Sequence, residues 1–304
     1  MENSANAFKI FIDEFKKALF EEYRNLIEYF PVDKAHDDEH VYRVLETVHY
    51  KTPKPVHHDL EVLLSLLAAA VFHEVDDVKL FPKDRPNQFT TTSMLRSVFE
   101  KFKNDKTFQN LKTKNEDRFL HCSRLKQKEV QPTDLKSLEH RVEDRTLAYI
   151  SFVSFKDNGN KTNFVYKNVD YSRDYYNCFV RDADRLEAIG NIGIVRTYEY
   201  NLSINAPFFI ESTPLARTRW GVLEFLKHPN RYEAYIMGRK SKSMIDHFYD
   251  KLLHIRPSNI NIRIFEPIFD ERKEIMIEFL MKFGIDPTLE RLHELVEECK
   301  SKIE

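Results

Sequence analysis

The chain has 304 residues, enough to bury a sizeable core as one large domain or two small ones. Its 47 basic and 49 acidic residues nearly cancel, so no global charge favours nucleic acid or a membrane surface as partner. Six glycines, twelve prolines and three isolated cysteines exclude a disulfide scaffold and a CxxC zinc module, and point to helices in a reducing compartment.

The N-terminus, MENSANAFKIFIDEFKK, is charged too often for a signal peptide, and no apolar run reaches the ~20 residues of a membrane span. The expectation is a cytoplasmic or nuclear protein.

In chain order, residues 6–29 carry Phe8, Ile10, Phe11, Phe15, Leu19, Phe20 and Tyr23 near a 3.6-residue period, which predicts a first helix. A second is predicted over residues 37–50, stopped before Pro53. The third begins at Asp59 as N-cap and runs through LEVLLSLLAAAVFHE. It is apolar on nearly every side, so other helices should surround it, yet it ends in HEVDD. Charge at the tip of a buried helix needs a metal, a partner or water.

Residues 84–136 are polar and lysine-rich and read as an inserted, partly irregular segment or lid. DNGNKTN at 157–163 reads as a turn between two β-prone stretches, so one short hairpin is compatible with the pattern. Helical pattern returns over 181–200, 218–227, 241–254, 267–283 and 287–302. No linker or internal repeat divides the chain, and the expected architecture is all-α in a single domain, 1–304.

Three segments join histidines or carboxylates to apolar helices: AHDDEHVYRV (35–44), VFHEVDD (71–77) and VRDADRLEAIGNIGIVR (180–196). His36 and His40 are four apart and would share a helix face. His73 and Glu74 are adjacent, and converge on one ion only where a helix end or side-chain reach lets both do so. Asp182 and Asp184 point about 200° apart on a helix, so one helix cannot aim both at the same point. Gly190 and Gly193, three apart, suit close approach of a second helix. Imidazole and carboxylate donors together suit Mn, Fe, Co, Ni or Zn, and Mg least.

These phrases carry a resemblance. AHDDEHVYRV, HEVDDVK, DADRLEAIGNIGIVR and HFYDKLL (247–253) follow one another as in the HD superfamily of metal-dependent phosphohydrolases, nearest a bacterial and fungal branch of small HD hydrolases. The similarity runs from about residue 35 to about 283 and implies an HD-type helical bundle. It also implies one divalent metal ion on His40, His73, Glu74 and Asp184, with Asp182 the rival of Asp184. Glu74 stands where the family has its aspartate, and this is the departure from its pattern. Asp77 and His36 are the implied catalytic groups. Lys79, Lys156, Asp182, Arg196, His247 and Lys251 are candidate substrate contacts. The implied function is hydrolysis of a nucleotide or similar phosphorylated small molecule. The alternative is an HD protein that binds a nucleotide or protein partner without turnover.

Overall fold

The computed structural model describes residues 2–32, 36–54, 59–125, 136–154, 176–228, 230–258 and 262–303. Among them every regular element is helical, as the composition predicts. The chain divides into two compact units, one built on the helices before Phe152 and one on the chain from Arg181 onward. This boundary falls inside a helix, between Val180 and Arg181, where no change of composition marks it.

The first unit holds α1 (Glu2–Tyr29), α2 (Asp38–Lys51), α3 (Leu60–Phe72), α4 (Thr91–Phe102), α5 (Lys106–Leu125) and α6 (Leu138–Ser151). Phe11, Phe15, Leu19, Tyr23 and Leu26 line one stripe of α1 and are buried. The middle of the unit is α3, all thirteen of whose residues are buried. Its Asp59 cap accepts a hydrogen bond from Val62 N at 3.3 Å, as the sequence predicts. One residue in this apolar rod is charged. Glu61 accepts bonds from Arg141 Nε at 2.8 Å and Arg145 Nη2 at 3.0 Å, which ties α6 to the start of α3. An unpaired carboxylate at this depth would cost several kcal/mol, so the two guanidiniums are what make it tolerable.

Residues 84–136 depart from the sequence expectation. Over its described part this segment forms α4 and α5 rather than an irregular lid. Its lysines mask an amphipathic face: Met94, Leu95, Val98, Phe99 and Phe108 are buried. Phe108 stacks on Phe11 with centroids 5.6 Å apart, and Phe99 lies 5.7 Å from Phe15. Through these side chains the described part of the segment joins the core. Nearly all of the suggested hairpin, from residue 155 on, lies outside the described residues.

The second unit contains most of α7 (Phe179–Leu186), then α8 (Gly190–Ser203), α9 (Arg219–Leu226), α10 (Arg231–Ile236), α11 (Met244–Asp250), α12 (Ile262–Ile285) and α13 (Leu289–Lys300). The single helix predicted over 181–200 is broken at 187–189. Gly190 has φ +74°, a left-handed backbone that a side chain would strain. A Cβ there would also lie 2.9 Å from Arg272 Cγ of α12, so this glycine does admit a neighbouring helix. Gly193 serves a different end: its Cβ would meet the Ala188 carbonyl oxygen of the preceding turn at 2.3 Å. The last long helix, α12, starts at Ile262, ahead of Pro267, and carries that proline inside it.

Candidate metal centre

The cluster begins at the N-terminus of α2. Asp37 caps this helix by accepting from His40 N at 3.0 Å, which places His40 in the first turn. The apolar positions that follow, Val41, Val44, Leu45 and Val48, bury that face of α2 and take His40 to zero exposure. His36 precedes the cap, so it does not share a helix face with His40. Its carbonyl accepts from the Tyr23 hydroxyl of α1 at 3.0 Å. Burial and the nearby carboxylates of Glu74, Asp37 and Asp38 push the Tyr23 phenol far up, so it remains a donor.

The second contribution comes from the end of α3. That helix stops at Phe72, His73 is its C-cap, and Glu74 lies on the turn beyond, where Val75 N donates to Phe72 O at 3.1 Å. The chain tightens here to three-residue turns, with Asp77 N donating to Glu74 O at 3.0 Å, while His73 keeps right-handed dihedrals. His73 Nδ1 lies 2.9 Å from Ala70 O, and since a carbonyl only accepts, Nδ1 carries the proton. In the neutral tautomer this leaves the lone pair on Nε2.

One oxygen gathers the imidazoles. Glu74 Oε1 is 3.6 Å from His40 Nε2, 3.9 Å from His73 Nε2 and 3.8 Å from His36 Nε2. The His40 and His73 rings cross at 72° with centroids 5.4 Å apart. Donor atoms of His40, His73 and Glu74 lie within 4.8 Å of one another, a grouping able to hold a metal ion.

The remaining sequence candidates are placed as follows. Asp77 is half-buried, and its Oδ1 accepts from Lys79 N at 2.8 Å, closing a turn after the cluster. Lys79 itself is exposed. In the second unit, Asp182 and Asp184 lie on opposite sides of α7, the first fully buried and the second half-buried. Asp182 accepts from Ser258 N at 3.0 Å, Ser258 Oγ at 2.6 Å and Arg181 Nε at 3.2 Å, so its carboxylate is occupied inside that unit. Arg196 donates to Glu187 O at 3.3 Å. His247 lies 3.1 Å from Ser241 Oγ through Nδ1 and 5.5 Å, ring to ring, from Tyr235. Burial first, and Lys251 second, lower its pKa to about 3, which favours the neutral imidazole. Lys251 Nζ lies 5.9 Å from the Tyr235 ring centroid. Lys156 lies outside the described residues.

Sequence reasoning passed over Tyr23. Its phenol reads as one more apolar-stripe position of α1, yet its bond to the His36 carbonyl ties that helix to the cluster.

The uncharacterized protein L803 of Acanthamoeba polyphaga mimivirus is 33% identical over 222 residues, which cover 72% of this chain and 76% of the viral protein. The chain belongs to the L803 family. No family model matches it. Among solved structures, it is similar to a Lactobacillus plantarum structural-genomics protein, at 18% identity and a TM-score of 0.45, over 90% of this chain and 96% of that one.

Proposed function

We propose that this protein is a metal-dependent phosphohydrolase that acts on a nucleotide or a similar phosphorylated small molecule. The observation that carries this reading is the meeting of His40, His73 and Glu74 donors around one point. Separations of 3.6 and 3.9 Å are too long for hydrogen bonds. They suit ligands of a shared cation, since two donors each ~2.1 Å from an ion stand roughly 3–4 Å apart. The donor set fits in kind as well: two imidazoles and a carboxylate, with no thiolate, favour Mn, Fe, Co, Ni or Zn over Mg. Asp184 enters the ligand set on the HD resemblance alone.

A divalent cation held there supplies Lewis acidity and makes water a competent nucleophile near neutral pH. The chain's own residues set the stage for it. The Ala70 carbonyl fixes the His73 tautomer and ring orientation. The Tyr23 hydroxyl holds the His36 backbone. His36 is partly exposed at the edge of the cluster, which suits it to hand a proton to a leaving oxygen.

The test is elemental analysis of the purified protein, paired with a panel of nucleotides assayed with Mn, Co, Ni, Zn and Mg. We expect one bound divalent ion per chain, release of phosphate or pyrophosphate, and loss of both in His73→Ala. Failure to load any of these ions at neutral pH overturns the reading.

A further inference from the structure

We propose that a cleft in the second unit, between α10, α11 and residues 238–243, binds the phosphoryl group of a soluble small molecule through Arg231, Arg239 and Lys242. This inference stands apart from the metal cluster. The cleft is lined by Ser212, Arg231, Tyr235, Arg239, Lys242, Asp246 and Asp250, all in the second unit.

The backbone fixes where its cations stand. Helix α10 ends in a Schellman turn: Gly238 N donates to Tyr235 O at 3.0 Å, and Arg239 N donates to Ala234 O at 2.9 Å. That turn needs the left-handed φ of +98° at Gly238. Four residues on, Ser243 caps α11 by accepting from Asp246 N, while Met244 N donates to Pro207 O at 3.0 Å. The short stretch bearing Arg239 and Lys242 is thus pinned at both ends.

Charge then decides the ligand. Both carboxylates are taken up by one guanidinium: Arg231 Nη2 meets Asp246 Oδ1 at 2.6 Å, and Arg231 Nε meets Asp250 Oδ1 at 2.7 Å. Asp246 is itself held by Ser243 Oγ at 2.6 Å and Thr213 Oγ1 at 2.9 Å, so Arg231 is oriented in advance and keeps Nη1 for a ligand. The lining carries three cations against two carboxylates, so Arg239 and Lys242, both exposed, leave the cleft with a net positive charge. Burial and Asp250 push the Tyr235 phenol above its ordinary value, so it keeps its proton and remains a donor. A flat carboxylate is served by one guanidinium fork. Cations and hydroxyls spread around a cleft instead match a tetrahedral dianion with three or more acceptor oxygens.

The experiment is calorimetric titration of the full chain with inorganic phosphate and pyrophosphate, in chelator-treated buffer at fixed ionic strength, with acetate as control. We expect both phosphates to bind and acetate not to. Arg239→Glu with Lys242→Glu, two exposed positions that leave the Arg231 network intact, should weaken binding about tenfold or more. His73→Ala should leave it unchanged. No binding, equal binding of acetate, survival in the double variant, or loss in His73→Ala each overturns the proposal. The His73→Ala arm keeps the result separable from the fate of the metal reading.

Discussion

Glu74 Oε1 stands 3.6 Å from His40 Nε2, although His40 lies in the first turn of α2 and Glu74 on the turn past α3, and Glu74 is one methylene longer than the aspartate of the HD pattern. That turn lies beyond the last helical residue, Phe72. Glu74→Gln keeps the shape and removes the charge. It should weaken Mn or Co binding by at least about tenfold. Glu74→Asp, which shortens the reach but keeps the carboxylate, should weaken it less. Equilibrium dialysis measures both, and equal binding by wild type and the Gln variant refutes the carboxylate's part.

His36 offers a test of the proposed function that separates proton transfer from metal binding. His36→Gln should leave the metal content unchanged and lower kcat by about 10²- to 10⁴-fold, the range of a lost general acid. A parallel fall in metal content would make His36 a ligand instead.

His247 makes stability depend on pH in a defined window. Its folded pKa of about 3 lies below the unfolded value of 6.5, so the unfolded state binds the extra proton. Its contribution is therefore complete above about pH 6.5 and is lost as pH falls toward 3. Urea unfolding midpoints of wild type should drop across pH 7 to 4 more steeply than those of His247→Gln. Parallel curves would mean that the imidazole is not neutral in the folded protein.

Asp182 tests the other side of α7. Asp182→Asn leaves Ser258 and the fully buried Arg181 without their carboxylate, and should destabilise the protein by roughly 3 kcal/mol or more. Ser258→Ala should cost less, on the order of 1–2 kcal/mol. Denaturant unfolding of both variants decides it, and an Asp182→Asn protein as stable as wild type would show that this carboxylate anchors nothing.

How far the sequence could be read varied with the physics behind each signal. Helix α3 was legible because thirteen apolar-dominated residues with an aspartate cap admit few other conformations. The meeting of His40 with His73 and Glu74 was legible through ordered phrases, with a helix end as one expected means, but the residue at which α3 stops was not. Nothing in the letters VFHEVDD says that the helix stops at Phe72. Residues 84–136 misled for a related reason. Their abundant lysines lowered the average hydropathy, while Phe99 and Phe108 on one face sufficed to dock the segment on Phe11 and Phe15. The break before α8 was hidden because Gly190 reads as a packing residue in a helical pattern, whereas its backbone angle ends the continuity. The Arg231 cleft carries no phrase at all. Its chemistry depends on which carboxylates Arg231 consumes, and that is a property of folded geometry alone.

Helix α3 turns no residue to solvent along its whole length. A surface helix drifts freely on its outer face, but this one has no outer face on which change is neutral. A larger side chain must displace a neighbour, and a smaller one opens a void. Natural variation within the L803 family should therefore thin out over residues 60–72 and stay thin into His73. The His73–Glu74 pair at its tip is carried by a stretch with little freedom to vary, so the spacing between that pair and the core is inherited as a single unit.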